Sequence, residues 1–219
     1  MLPSLVKYVV RACLPSRWVL YRAPHARGRV ALTFDDGPNP DYTARVSALL
    51  KQAGARATFF LVGENARQHP RLVAQLHADG HELGNHSMTH AEFDGMPMPR
   101  LAQEIDAPYG LRDDRGAPVL SNRYFRPPKG VLNARVLYYC VRHGYRIVMW
   151  SADPKDFRAP SAEAVLGYFD AHPLNGGDIV LLHDKTEATL AALPGLLATL
   201  RTRGLAPVTL SELLQRRAA

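Results

Sequence analysis

The sequence predicts an α/β fold in which parallel strands alternate with helices. Two observations lead there. Short apolar runs alternate with longer amphipathic stretches along most of the chain, the pattern of repeated β/α units. Polar residues stand just after those runs, at Asp35-Asp36, His86, Arg126, Asp153 and His183. A parallel barrel builds its site at that end of its strands.

The elements follow in order. Val30–Phe34 is the first apolar run, ending in the turn sequence Asp-Asp-Gly-Pro. Tyr42–Ala53 reads as a helix with Val46, Leu49 and Leu50 on one face and Gly54 as its cap. Ala57–Val62 is the second strand, Pro70–Asp79 a helix stopped by Gly80, and His81–Asn85 a more polar third strand. A helix starts near Pro99 and runs through Ile105, with Pro108 and Gly110 as breakers. Pro108–Asn122 then reads as an irregular loop. Tyr124–Arg126 is a short strand before a Pro-Pro pair, Asn133–Arg142 a helix, and Tyr145–Trp150 a strand. Ala162–Asp170 is helical, Asp178–Leu182 extended, and Glu187–Arg203 a long helix capped at Gly204. Ala206–Thr209 is the last strand, followed by a short helix from Ser211. The reading therefore contains seven strands, most followed by a helix.

A chain of 219 residues buries roughly 70% of the surface its unfolded form exposes, so it needs no disulfide. Its two cysteines, Cys13 and Cys140, make no disulfide framework and fit a reducing compartment or a protein indifferent to redox. The net charge of +7 is uneven. Lys7, Arg11, Arg17, Arg22, Arg27 and Arg29 fall within residues 1–34, which hold no acid, leaving 21 basic and 20 acidic residues elsewhere. A near-neutral remainder without a nucleic-acid motif argues against a nucleic-acid partner.

Residues 1–28 read as a basic, apolar N-terminal segment and 29–219 as the main domain. No apolar run in the segment approaches the ~18–20 residues that cross a bilayer. Lys7 and Arg11 interrupt what would be the core of a signal peptide. Two readings stay open: a helix packed on the domain, and an interfacial helix on anionic lipid. The expected location is the cytoplasm, with peripheral contact at the inner face of the membrane under the second reading.

Several residues can carry chemistry. Asp35 and Asp36 are adjacent at a strand end, so their side chains point in different directions. One can bind a metal while the other faces a reacting water, although Asp-Gly-Pro is also ordinary turn chemistry. His86 and His90 are four residues apart, a spacing that puts both imidazoles on one face of a helical turn. Two imidazoles and one carboxylate suit zinc and leave positions open. Unrelated surface histidines are the plain alternative. His183 follows an apolar strand, where a histidine is either a satisfied core residue or a proton donor. Arg126 can hold a carboxylate, and Asp156 can orient a histidine. His81 reads as structural.

Taken together, these segments resemble the polysaccharide deacetylase (NodB-homology) family, carbohydrate esterase family 4. The matching motifs are Thr33-Phe34-Asp35-Asp36-Gly37-Pro38, His86-Ser87-Met88-Thr89-His90, Arg126-Pro127-Pro128-Lys129-Gly130, Asp153-Pro154-Lys155-Asp156-Phe157 and Leu181-Leu182-His183. The resemblance covers the chain from about Arg29 onward. It implies a distorted (β/α)7 barrel, an incomplete relative of the TIM barrel. It implies a hydrolase that removes an N-acetyl group from an amino sugar in a polysaccharide, oligosaccharide or glycolipid. Asp36, His86 and His90 become metal ligands, usually for zinc, with Co2+, Mn2+ or Ni2+ as other divalent occupants. Asp35 becomes the general base, His183 the general acid, Arg126 the partner of Asp35 and Asp156 the support of His183. Pro127, Lys129, Phe157 and Leu181 fall where substrate is read, Leu181 against the acyl methyl.

The chain departs from the family pattern in three places. Lys129 stands where an aromatic residue is common, Phe157 replaces a common tryptophan, and the Pro108–Asn122 loop stands where a helix usually continues. Lys129 and the basic N-terminus point to an anionic or lipid-linked N-acylated amino sugar. Deformylation or imide hydrolysis on the same barrel, and an inactive carbohydrate- or lipid-binding barrel, are the rival readings.

Overall fold

The computed structural model describes residues 14–215. Its strands are β1 (Val19–Leu20), β2 (Arg29–Asp35), β3 (Thr58–Leu61), β4 (Glu82–Asn85), β5 (Tyr124–Phe125), β6 (Arg146–Val148), β7 (Ile179–His183) and β8 (Ala206–Val208). The helices are α1 (Thr43–Gln52), α2 (Gly63–Gln68), α3 (Pro70–Ala78), α4 (Met98–Asp106), α5 (Ala134–Arg142), α6 (Ala162–Ala171), α7 (Glu187–Thr202) and α8 (Leu210–Leu214). All seven expected strands form. None of the helices is long and apolar enough to cross a membrane among the described residues.

The strands pair in parallel in the order β1-β6-β5-β4-β3-β2-β7, with β8 on β2. The ring closes unevenly. Above β1 the chain after β6 meets β7 through a single parallel bridge, Ala152 to Val180. Below it β1 fills the gap by pairing with β6, and Ala23, three residues beyond its end, donates its N–H to the Gly177 carbonyl at 2.8 Å. On the far side β4 and β5 share one register pair, Asn85 with Phe125. The result is a distorted β/α barrel.

Two elements escape the sequence reading. β1 has two residues, too few for a periodic signal, and α2 is a short polar helix of sequence GENARQ. The helical reading of the N-terminal segment fails in its described part. Val19 and Leu20 are extended and buried, and Ala23 and Ala26 are buried behind them. The pull is tertiary: the open seam between β6 and β7 supplies a partner for an extended backbone, and no residue from 14 to 28 is helical. Residues 1–13, including Cys13, lie outside the described residues. Cys140 is a free, buried thiol.

Strand parity decides what faces the lumen, because side chains alternate with period two. On β2, Val30, Leu32 and Phe34 pack outward with Val46, Leu50 and Leu193 of the helices, whereas Ala31 joins the inner cluster. On β7, Val180 and Leu182 face outward and Ile179 inward. The inner cluster also holds Leu20, Phe60 and Val148, and Leu210 and Leu213 of α8 plug its lower end. Thr33 and Asp35 of β2, and Leu181 and His183 of β7, therefore inherit the inward parity. Above the plug the lumen turns polar: on β2 Ala31 gives way to Thr33 and Asp35, and on β7 Leu181 gives way to His183.

Gly84 has inward parity on β4. A Cβ there would stand 2.6 Å from Phe60 Cδ1 and Cε1, inside a fully buried ring. Gly84→Ala is expected to cost about 1–3 kcal/mol by overpacking. A thermal melt should show a fall of roughly 2–4 °C per kcal/mol for a chain of this size.

Candidate active site

The mouth of the barrel brings together all seven residues assigned to metal binding and catalysis. Asp35 ends β2, and Asp36 follows in the left-handed region at φ 75°. That backbone conformation is rare for a non-glycine residue and redirects the second carboxylate from the expected alternation. Asn65 of α2 secures it, donating to the Asp36 carbonyl at 2.8 Å.

His86 and His90 come together by a different route from the one the spacing suggests. Residues 86–90 form no helical turn, and Ser87 and His90 both have positive φ, 69° and 59°. A bonded loop replaces the helix. Ser87 N–H donates to Asn85 Oδ1 at 2.8 Å and His90 N–H to Ser87 Oγ at 3.0 Å. Glu104 of α4 accepts from both the amide and the hydroxyl of Thr89, each at 2.9 Å. The two imidazole centroids still lie 5.0 Å apart.

Three ligand atoms converge. His86 Nε2 lies 3.4 Å and His90 Nε2 3.2 Å from Asp36 Oδ1, and all three atoms fall within 4.8 Å of one another. Tetrahedral zinc with ligand bonds near 2.0–2.1 Å needs neighbouring donors about 3.3 Å apart, so the donor set fits the ion. His86 Nδ1 lies 2.8 Å from the Arg126 carbonyl. A carbonyl only accepts, so Nδ1 carries the proton and Nε2 keeps its lone pair for a metal. Burial tends to raise the Asp36 pKa, but the neighbouring His86 and His90 imidazoles and the Lys185 ammonium hold it well below the usual carboxylate range. The carboxylate is thus ionised and ready to ligate.

Beside the triad stands a second ionic pair. Arg126 is fully buried, which is costly without partners, and each end of its guanidinium is satisfied. Nη1 donates to Asp35 Oδ1 at 2.6 Å and Thr33 Oγ1 at 2.8 Å, Nε to the Val148 carbonyl at 3.0 Å, and Nη2 to the Met149 carbonyl at 3.1 Å. Phe60 and Trp150 flank it, with Cζ 4.1 and 5.7 Å from their centroids. Asp35 Oδ2 remains directed toward the triad, 3.7 Å from His86 Nε2.

His183 forms the third group. Its Nδ1 lies 2.8 Å from Asp156 Oδ1, and its amide donates to Asp156 Oδ2 at 2.7 Å. Asp156 Oδ2 also accepts from Thr189 Oγ1 at 2.6 Å. Thr189 sits in the first turn of α7, which Thr186 caps, so the helix start fixes the carboxylate. Burial alone would lower the His183 pKa. The hydrogen bond and charge of Asp156 outweigh it and raise the pKa above the ordinary value.

The expected substrate residues divide. Leu181 is buried with inward parity, two residues before His183. Phe157 is 37% exposed and meets the His183 ring edge-on at 5.1 Å. Pro127 is buried. Lys129 reaches the rim, but its ammonium pairs with Glu92. The charge read as meeting substrate is thus engaged within the protein. His81 lies away from the site, against Phe59 and Ser47. Burial pushes its pKa down to about 4, so it is a neutral structural histidine near pH 7.

Sequence reasoning overlooked Thr33, Trp150, Asp184, Lys185 and Thr189. Inward parity on β2 was the signal for Thr33. Trp150 packs its ring under Gly130, where a Cβ would stand 2.5 Å from Cη2. Lys185 pairs with the outer oxygen of Asp36. Asp184 is buried against Gly37, accepts from Thr43 and is pushed up to about 7 by burial. No local pattern announces the Asp184 and Lys185 contacts, whose partners Thr43 and Asp36 lie 141 and 149 residues away.

Comparison with known proteins agrees with this geometry. The polysaccharide deacetylase family model matches residues 22–148. A peptidoglycan-N-acetylglucosamine deacetylase of Bacillus cereus is 38% identical over 207 residues, covering 92% of this chain and 95% of the relative. A chitooligosaccharide deacetylase of Sinorhizobium fredii is 35% identical over 189 residues, covering 80% of this chain and 86% of the relative. The crystal structure of a peptidoglycan N-acetylglucosamine deacetylase superposes with a TM-score of 0.84 at 27% identity, covering 97% of this chain and 99% of the other. With the fold, the ordered motifs and these matches in agreement, the chain belongs to the polysaccharide deacetylase family, carbohydrate esterase family 4.

Proposed function

We propose that this protein is a divalent-metal-dependent hydrolase that removes the acetyl group from the nitrogen of N-acetylglucosamine residues in a sugar chain or glycolipid. One observation carries the reading. The Asp36–His86–His90 donor set shares the barrel mouth with two separately buttressed groups on neighbouring strands, Asp35 on Arg126 and His183 on Asp156. The named activities of the Bacillus and Sinorhizobium relatives support the substrate class.

Asp36, His86 and His90 would hold the ion, zinc in the first instance, which when bound supplies Lewis acidity toward an amide carbonyl and acidifies water. The remaining work falls to the protein. Asp35 Oδ2 accepts the proton of the attacking water, while Arg126 occupies Oδ1 and keeps the carboxylate oriented. His183 gives a proton from Nε2 to the departing nitrogen. Asp156 secures the opposite ring nitrogen, so the donating edge stays aimed at the mouth. Leu181 offers an apolar wall to the acyl methyl, and Phe157 a face to the sugar. The products are a free amine and acetate.

An inactive binding barrel does not suit a site in which base, acid and both supports are all present and bonded. Deformylation or imide hydrolysis would use the same groups. The deciding experiment gives the zinc-loaded protein free, polymeric and lipid-linked N-acetyl and N-formyl sugars, and quantifies acetate and formate. Acetate from N-acetylglucosamine chains is expected. Formate alone, or no carboxylate from any sugar, contradicts the reading. Repeating the assay with Co2+, Mn2+ and Ni2+ ranks the metals.

The raised His183 pKa predicts the alkaline side of the pH profile. His183 must be protonated to donate, so turnover falls as pH rises through its pKa. Asp156→Asn removes the charge that raises that pKa, and the falling limb of kcat/KM should move to lower pH. A limb that stays in place would remove His183 from the acid role.

A further inference from the structure

Four cations are carried by the segments around the mouth: Lys129, Lys155, Arg158 and Lys185. Three are engaged. Lys129 pairs with Glu92, Lys185 with Asp36, and Lys155 with Asp153 at 2.6 Å. Arg158 has no carboxylate partner among the described residues. It is exposed, and its guanidinium carbon lies over the Phe157 ring, 5.0 Å from the centroid. Phe157 in turn touches the His183 ring at a centroid distance of 5.1 Å. Phe157 and Tyr138 are the exposed large apolar side chains among the described residues. The free cation therefore stands at the end of a short stack that begins on the proton donor.

We propose that Arg158, held over Phe157 beside His183, forms an anion subsite for an amino-sugar substrate that carries an oxyanion next to the acylated residue. The inference rests on the deacetylase reading and names the substrate class within it. Three features support it. A guanidinium stacked on an aromatic face keeps its edge free, and that planar edge matches a carboxylate or phosphate with two parallel hydrogen bonds. The stack also fixes the side chain before substrate arrives, so less freedom is lost on binding. Finally, a sugar ring over Phe157 would bring a substituent of the same or the neighbouring residue to that edge. A carboxylate on the neighbouring sugar and a phosphate ester on the amino sugar share the recognised chemistry, and the test separates them.

The probes are a neutral N-acetylglucosamine disaccharide, the same disaccharide with a uronic acid as the neighbouring sugar, and N-acetylglucosamine carrying a phosphate ester. The zinc-loaded wild type and Arg158→Gln are compared by kcat/KM at low and high salt. Equilibrium binding of the same probes is measured in the Asp35→Asn background. The wild type should prefer at least one anionic probe over the neutral disaccharide by about tenfold, the scale of one charge-assisted contact. That preference should shrink at high salt, because the group is exposed. In Arg158→Gln the ratio should collapse toward unity, mainly through KM, as expected for a contact made equally in ground and transition states. Arg158→Lys should retain only part of it. Equal values for neutral and anionic probes in the wild type overturn the proposal, as does a preference that survives in Arg158→Gln. Anion-selective, Arg158-dependent binding without turnover of any probe would leave the subsite standing and sink the deacetylase reading instead.

Discussion

In the zinc-loaded protein, Asp35→Asn lowers kcat by about 10²–10⁴-fold, the range for removal of a general base, and leaves one zinc bound per chain. Asp35 and Asp36 are neighbours in sequence with different partners. His90 Nε2 lies 3.2 Å from Asp36 Oδ1 and makes no ion pair with Asp35. Asp35 is instead committed through Oδ1 to Arg126. Asparagine keeps the volume and an acceptor oxygen for Arg126, so the site retains its shape while losing the basic oxygen. Asp36→Asn has the reverse signature: zinc affinity falls first, and turnover falls with it. Dialysis followed by metal analysis, run beside single-substrate kinetics, separates the two. Equal loss of zinc in both variants would make Asp35 a ligand rather than the base.

Arg126→Met is the most destabilising single change expected here. The guanidinium is fully buried, and its removal strands the Asp35 carboxylate and two backbone carbonyls. Removing one member of a buried ion pair costs about 3–5 kcal/mol, chiefly through the charge left behind. At roughly 2–4 °C per kcal/mol, the melting temperature should fall by about 6–20 °C. The double variant Arg126→Met with Asp35→Leu should recover part of that loss, since no unpaired charge remains. A melting temperature unchanged in Arg126→Met would mean that the cation is not part of the interior scaffold.

Much of this was legible in the sequence, and the failures share a cause. The polar residues that follow the apolar runs, Asp35 and His183 among them, already pointed to one site at the strand ends. The candidate metal donors were legible as a set of types and spacings, but the loop that brings His86 and His90 together was not. Four residues suggest a helical turn, whereas Asn85, Ser87 and Glu104 build a loop with left-handed residues at both Ser87 and His90. Local spacing reports only that two side chains can meet. Long-range hydrogen bonds decide how. The same limit hid β1, whose extended form depends on the seam between β6 and β7, and it hid the engagement of Lys129 by Glu92.

The central claim is that Asp36, His86 and His90 hold one divalent ion on which N-deacetylation depends. The most direct test titrates zinc into the metal-free protein and follows acetate release from an N-acetylglucosamine oligomer. Turnover should rise linearly to one equivalent and then level, and His90→Ala should stay near background at that equivalence point. Full turnover in the metal-free protein, or a His90→Ala titration that matches the wild type, would contradict the account.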